Sequence, residues 1–125
     1  MNIDKILQSQ RDYFFSGATL SVGFRINNLK QLYNEIKAHE TEISQALQID
    51  LGKSEPEAFM CEIGMVLSEI TYMIKHMKSF SKKQRVRTPL AQFHAKSYKQ
   101  LCPYGNVLIM SPWNYPFLLT IDPLA

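Results

Sequence analysis

Long apolar runs are missing from this 125-residue chain. The N-terminal stretch MNIDKILQSQ has polar residues throughout, so it lacks the continuous apolar segment of a signal peptide. No window of the sequence reaches the length of a membrane-spanning helix. We therefore expect a cytoplasmic protein, and this segment carries no indication of membrane association.

Cysteine and histidine are also scarce. The two cysteines, Cys61 and Cys102, lie far apart in the sequence, which favours reduced thiols over a disulfide framework. The three histidines, His39, His76 and His94, are scattered and do not show the spacing of metal ligands or of a Cys–His pair. The sequence therefore predicts no metal site.

Neither sign of charge dominates, because 14 basic residues face 11 acidic ones and leave a net charge of +3. The one dense basic cluster spans residues 75–87, at and after the end of a predicted helix. Basic side chains suit a helix C-terminus, and no aromatic residues that could stack on bases are interleaved with them. We favour a solvated helix end and predict no nucleic-acid partner; binding of nucleic acid or acidic lipid is the alternative.

Apolar periodicity predicts helices in the first part of the chain. One helical face begins at Ile3 and ends near Gly17, which tolerates left-handed backbone angles. Ser21 is a suitable N-cap for a second helix, which continues to Gly52 with a bend or break at His39–Thr41.

A long third helix is predicted after Ser54, which could form a capping box with Glu57, while Pro56 suits the first turn. Glu62 and Glu69 are predicted to be solvent-exposed charges on this helix. Its apolar stripe predicts packing against other helices and consists of Phe59, Ile63, Val66, Leu67, Ile70, Met73, Ile74 and Met77.

The pattern changes after residue 89. Residues 93–101 are predicted to contain an exposed strand, although their alternation is poor. The apolar run 107–110 is typical of a strand covered on both faces, as in the parallel sheets of α/β folds. A last helix could start at Asn114 or Tyr115, with Pro116 in its first turn.

These elements predict an α/β fold that is mostly α-helical here, with a short β segment and the first strand of an incomplete parallel sheet. Residues 1–88 would form an N-terminal helical segment, and residues 89–125 an exposed strand plus the truncated start of a second domain. A buried parallel strand needs neighbours, so we expect a covering partner or a longer natural chain. A complete helical domain with a docked C-terminal helix is the alternative.

The C-terminal stretch resembles a known family. PYGNVLIMSPWNYPFLLTIDPLA resembles the segment P-x-G-V-V-x-x-I-x-x-W-N-Y-P of NAD(P)-dependent aldehyde dehydrogenases. The upstream stretches FRINNLKQLYNEIKAHETEISQALQIDLGKSEPEAF and EIGMVLSEITYMIKHM are similar to the N-terminal helices of the class 3, fatty-aldehyde branch. The resemblance thus covers nearly the whole chain, and the agreeing motif positions are Pro103, Gly105, Trp113, Asn114, Tyr115 and Pro116. It implies the N-terminal portion of the aldehyde dehydrogenase fold, in which the strand 107–110 would be the first of an incomplete Rossmann-like parallel sheet and residues 89–125 would include the truncated start of the cofactor-binding, Rossmann-like domain.

The resemblance implies a catalytic role for Asn114. In this family a cysteine thiolate attacks the aldehyde carbonyl, and the oxygen that becomes negative needs preorganised hydrogen-bond donors. The Asn114 carboxamide would be one donor, together with the backbone N–H of the cysteine. A lone Asn in this position would otherwise be interpreted as a helix N-cap.

The resemblance also implies cofactor-binding and substrate-binding positions. Met110, Ser111, Pro112 and Trp113 would line the NAD or NADP cleft, which in open α/β sheets lies beyond the carboxyl ends of the strands. Tyr115 and Leu119 would face the aldehyde. Core packing is the alternative for Trp113, Tyr115 and Leu119, and for Leu119 it is the stronger one.

The family's nucleophilic cysteine, activating glutamate, glycine-rich phosphate turn and ribose-binding basic residue all belong to motifs that this sequence does not contain. Cys61 and Cys102 are outside the catalytic-cysteine motif and are expected to be packing residues or spare thiols. The resemblance implies the N-terminal part of an enzyme that oxidises aldehydes to carboxylic acids through a cysteine thiohemiacetal. It also implies a homo-oligomer, specifically a homodimer. We expect the 125-residue piece alone to be inactive, and the alternative is a truncated helical self-association or interaction module without catalysis.

Overall fold

Helices dominate residues 2–125, the part of the chain described by the computed structural model. Single turns of 3-10 helix follow α1 and α6 and precede the second strand. The α-helices are α1 (Ile3–Phe15), α2 (Val22–Ala38), α3 (Glu40–Leu51), α4 (Glu55–Ala58), α5 (Gly64–Phe80) and α6 (Pro116–Ile121), and the strands are β1 (Gln84–Val86) and β2 (Ser97–Lys99).

The ends of the first three helices confirm the boundaries predicted from sequence. Gly17 and Gly52, which follow α1 and α3, have φ angles of 76° and 69°, in the left-handed region that favours glycine. The Ser21 hydroxyl caps α2 by accepting a hydrogen bond from the Phe24 N–H at 3.3 Å. His39 separates α2 from α3.

The predicted third helix is interrupted by a π-helical stretch, Phe59–Ile63, between α4 and α5. The Gly64 N–H donates to the Phe59 carbonyl, five residues earlier. A Cβ atom on Gly64 would lie 2.9 Å from that oxygen, so the wide turn needs glycine here. Ser54 makes no side-chain capping bond, so the predicted capping box with Glu57 does not form.

The core lies where α2, the π-helical stretch and α5 meet α6. The apolar stripe predicted for the third helix supplies most of it, and α1 contributes no buried residue. None of the helices within residues 2–125 has the length and apolar character needed to cross a membrane. The buried residues of this core are Leu29, Ile36, Ile63, Val66, Leu67, Ile70, Met77 and Leu118.

The two strands pair antiparallel, with Arg85 opposite Tyr98. Strand β2 lies within the predicted strand region 93–101, and the hairpin crosses the predicted boundary between residues 88 and 89. Residues 107–110 differ from the prediction because they form no strand, and Leu108 is 81% exposed. A strand needs a neighbour for its backbone groups, and none pairs with this run among residues 2–125.

Candidate functional site

Six of the predicted site residues, from Met110 to Tyr115, lie on the irregular connection that leads into α6, and Leu119 lies within α6 itself. Residues 110–114 are exposed, and the indole of Trp113 is 84% exposed. The Ser111 hydroxyl lies 2.7 Å from the Thr120 hydroxyl, which itself donates to the Pro116 carbonyl at 2.6 Å. The connection is therefore attached to α6 by a hydroxyl pair at its start.

Lys53 attaches the end of the same connection to the helical core. It follows Gly52 directly after α3, and its residue exposure is only 8%. The Nζ atom donates to the Glu62 carboxylate and, at 3.1 Å, to the carbonyl oxygen of Asn114. It also lies 4.0 Å from the centroid of the Tyr115 ring, within the range of a cation–π contact.

Glu62 is fully buried, so the prediction of a solvent-exposed charge at this position is wrong. The residue belongs to the π-helical stretch, and one carboxylate oxygen, Oε1, accepts from Lys53. The other, Oε2, accepts from the backbone N–H groups of Phe117 at 2.9 Å and Leu118 at 3.1 Å. These donors replace water around the carboxylate, which is the condition for burying a charge.

This arrangement decides how the start of α6 is capped. Tyr115 occupies the N-cap position and makes no side-chain capping bond. The Glu62 carboxylate, from a different helix, accepts the first-turn amide hydrogens instead. Asn114 is therefore not the N-cap that an isolated asparagine would suggest, and its carboxamide has no hydrogen-bond partner within residues 2–125.

The two predicted substrate-binding residues differ in their surroundings. The Tyr115 ring covers the Lys53 ammonium group and is 38% exposed. Leu119 is half-buried and packs against the hydrophobic core, as the core-packing alternative expects. Of these two residues, Tyr115 is thus the more accessible.

Other chemically reactive side chains do not gather at this site. Cys61 is half-buried in the π-helical stretch and Cys102 is exposed. No group of three or more His, Cys, Asp or Glu side chains with metal-binding geometry is found in residues 2–125. Burial raises the pKa of the Asp122 carboxyl, and the nearby Glu69 charge raises it further.

Sequence reasoning missed Lys53 and Glu62, although one signal was present. Glu62 lies three residues after Phe59 and four before Val66, so it shares the helical face of the apolar stripe. A charged residue on an apolar face is buried only when it has partners. Lys53 gives no such signal, because it follows a helix end in an ordinary polar sequence.

Comparisons with known proteins identify the family. The profile described as "Aldehyde dehydrogenase family" matches residues 1–125. The 4,4'-diaponeurosporen-aldehyde dehydrogenase of Staphylococcus aureus is 41% identical over 122 residues, which are 98% of this chain and 27% of that protein. The protein of Canis lupus familiaris named "Aldehyde dehydrogenase, dimeric NADP-preferring" is 41% identical over 124 residues, with the same two coverages.

A solved structure agrees with these sequence matches. The structure described as "Substrate bound state of Staphylococcus Aureus AldH" superposes with a TM-score of 0.89 at 42% identity, over 99% of this chain and 27% of the other. The chain thus spans about a quarter of the length of its relatives. Several relatives are named as members of aldehyde dehydrogenase family 3, in agreement with the class 3 resemblance. The chain therefore belongs to the aldehyde dehydrogenase family.

Proposed function

We propose that this chain is the N-terminal part of an NAD- or NADP-dependent aldehyde dehydrogenase, and that Asn114 donates a hydrogen bond to the aldehyde oxygen. The observation that carries the proposal is the state of Asn114. Its main chain is fixed by Lys53, whereas its carboxamide is exposed and has no hydrogen-bond partner within residues 2–125. A donor with a fixed backbone and an unused N–H suits an oxygen that becomes charged only during the reaction.

The chemistry follows from charge development. When a cysteine thiolate adds to an aldehyde, the carbonyl π electrons move to oxygen and a thiohemiacetal oxyanion forms. The Asn114 N–H would stabilise that oxyanion without itself carrying charge or titrating. The nucleophilic cysteine would come from another part of the enzyme, because Cys61 and Cys102 are outside the family's catalytic motif.

The residues proposed for the cofactor fit it as one wall of a cleft. Met110 and Trp113 expose large apolar surfaces, 83% and 84% respectively, and Pro112 is exposed between Trp113 and the Ser111 hydroxyl. Such surfaces suit the flat rings of a dinucleotide. When bound, NAD or NADP supplies the hydride acceptor. The dog relative is named NADP-preferring, which supports NAD(P) use here.

We infer that the protein acts as a homo-oligomer, because the dog relative is named dimeric. The other expectations are a cytoplasmic location and aldehydes as substrates. Tyr115, and more weakly Leu119, would contact the substrate. The 125-residue chain alone would be inactive, because it lacks the nucleophile and the phosphate-binding turn of the family.

The test uses the native-length protein, that is, the polypeptide as its source cells make it. Aldehyde-dependent reduction of NAD and of NADP is measured for the wild type and for Asn114→Ala. The wild type should turn over a series of alkanals. The Asn114→Ala variant should lose about 100- to 1,000-fold in kcat, the usual effect of removing one oxyanion donor. A native-length protein without this activity, or an Asn114→Ala variant with unchanged kcat, would reject the proposal.

The second candidate, a self-associating module without catalysis, is favoured by exposed apolar side chains within and after the hairpin. Leu90, Leu108 and Trp113 are 86%, 81% and 84% exposed, and large apolar side chains left in solvent are typical of interaction surfaces when they form a patch. Light scattering of the 125-residue chain over a wide concentration range tests this. A monomer at every concentration would remove the need for self-association.

A further inference from the structure

The buried Lys53–Glu62 pair is unusual because both of its members also bind the segment that carries the proposed oxyanion donor. The side chains are 9% and 0% exposed. Lys53 reaches the carbonyl of Asn114 and the ring of Tyr115, and Glu62 reaches the amides of Phe117 and Leu118. The pair therefore contacts four of the five residues from 114 to 118.

These contacts fix the segment on both sides of Pro116. Asn114 is outside regular secondary structure, and Tyr115 takes part in α6 only through its carbonyl, which accepts the Leu119 N–H at 3.0 Å. One ammonium group attaches the Asn114 carbonyl and the Tyr115 ring to the helical core. On the other side of Pro116, one carboxylate oxygen binds both first-turn amides. Because the ammonium and carboxylate groups also bind each other, displacing either one disturbs both attachments.

We propose that Lys53 and Glu62 are positioning residues that fix the Asn114 carboxamide for aldehyde oxidation. This inference depends on the proposed function. Neither side chain needs to contact the aldehyde, because their effect passes through the Asn114 main chain. The physical reason is that an oxyanion donor misplaced by about 1 Å can lose on the order of 100-fold in rate.

The π-helical stretch carries the carboxylate of the pair. Glu62 lies within it, beside Ile63, which is also fully buried. Gly64 permits the turn because it has no Cβ to meet the Phe59 carbonyl. The position of the carboxylate is thus built into the helix backbone and does not depend on a loop.

The kinetic test uses the native-length protein and the variants Lys53→Met and Lys53→Met/Glu62→Gln, each alone and combined with Asn114→Ala. The double variant removes both buried charges together, so it remains informative if Lys53→Met alone does not fold. Lys37→Met and Glu57→Gln, which change exposed residues on α2 and α4, are the matched controls. Rates are expressed per folded molecule.

We expect each Lys53 variant to lose about 10- to 100-fold in kcat, with little change in KM for the cofactor. In the Asn114→Ala background the same changes should cost less than about threefold, because the donor that they position is already absent. A merely structural role would instead lower the rate by the same factor in both backgrounds. That result, or an unchanged kcat in the folded double variant, would overturn the inference.

Hydrogen exchange gives a second readout that does not need activity. Exchange at the Phe117 and Leu118 amides should become at least about tenfold faster in Lys53→Met/Glu62→Gln than in the control variants, because the charged acceptor of both amides is lost. Unchanged exchange would contradict the attachment itself. An inactive wild type with the expected change in exchange would reject the proposed function and leave the attachment supported.

Discussion

Replacing Lys53 by Met should destabilise the protein much more than the loss of a surface ion pair would. Glu62 is fully buried, and its carboxylate accepts from Lys53 and from two backbone amides. Without Lys53 the two amides remain, but the charge is uncompensated. Breaking a buried pair costs about 3–5 kcal/mol, and the two remaining donors favour the lower end, about 3 kcal/mol. An exposed pair would cost less than about 1 kcal/mol.

The measurement is a double-mutant cycle with Glu62→Gln. The free energy of unfolding of each variant comes from urea unfolding monitored by far-ultraviolet circular dichroism. Glu62→Gln leaves the Lys53 ammonium group buried without a counter-charge, beside neutral groups such as the Asn114 carbonyl, so it should also cost about 3 kcal/mol. The double variant contains neither charge, and its amide side chain can still accept a backbone N–H. We expect it to cost no more than either single variant, about 3 kcal/mol at most, which gives a coupling free energy of at least about 3 kcal/mol.

Two results would refute this reasoning. If Lys53→Met lowered the free energy of unfolding by less than about 1 kcal/mol, the Lys53–Glu62 pair would contribute no more than a solvated surface pair does. Two single effects that simply add in the double variant would mean that the side chains do not interact. Lys37→Met, on the exposed face of α2, should change the free energy of unfolding by less than about 0.5 kcal/mol and serves as the control.

Three further predictions concern the backbone and the titrating groups. Gly64→Ala should cost about 1–3 kcal/mol in urea unfolding because its Cβ would meet the Phe59 carbonyl; the control Gly23→Ala, where the nearest atom would be 3.7 Å away, should not destabilise. Burial raises the pKa of Asp122, so folding stability falls as pH rises from the ordinary aspartate pKa to the raised one. Asp122→Asn should therefore raise the thermal midpoint at neutral pH but not in acid, and an equal gain at both would be inconsistent with this cause. A hydrogen bond to the Glu35 carbonyl raises the pKa of His39, so its stabilising effect is present below the ordinary histidine pKa and is lost as pH rises through the raised one; in His39→Gln this step of the stability–pH curve should disappear.

The helical part of the fold could be predicted from the sequence because its signals are local. Gly17, Ser21 and Gly52 fix helix ends through their own backbone or side-chain chemistry. The break at His39 was also correctly placed. Periodicity predicted the core stripe of the third helix for the same reason, since the stripe follows consecutive helical turns from the π-helical stretch into α5.

The elements that were missed depend on contacts between distant residues. The π-helical turn needs only one extra residue, so the apolar period around Ile63 hardly changes. Strand formation at residues 107–110 needs a neighbouring strand, and no local signal shows whether one is present. Burial of Glu62 depends on Lys53 and on amides that lie 55 and 56 residues further along the chain.

The proposed site was predictable only in part, and for a similar reason. The Trp-Asn-Tyr-Pro motif pointed to Asn114, whose role remains a prediction. The residues that hold its main chain are outside that motif, and no spacing in the sequence connects them to it. A buried ion pair is defined by its three-dimensional surroundings, so only the structure could relate Lys53 to Asn114.

The most direct test of the central claim is the size of the native polypeptide. An immunoblot of source-cell lysate, with antibodies raised against residues 2–125, reports that size without assuming a substrate. Because the chain spans 27% of the length of two relatives, we expect a band from a polypeptide about four times as long as the 125-residue chain. A band at 14.5 kDa, the mass of the chain itself, would contradict the claim that it is part of a complete aldehyde dehydrogenase.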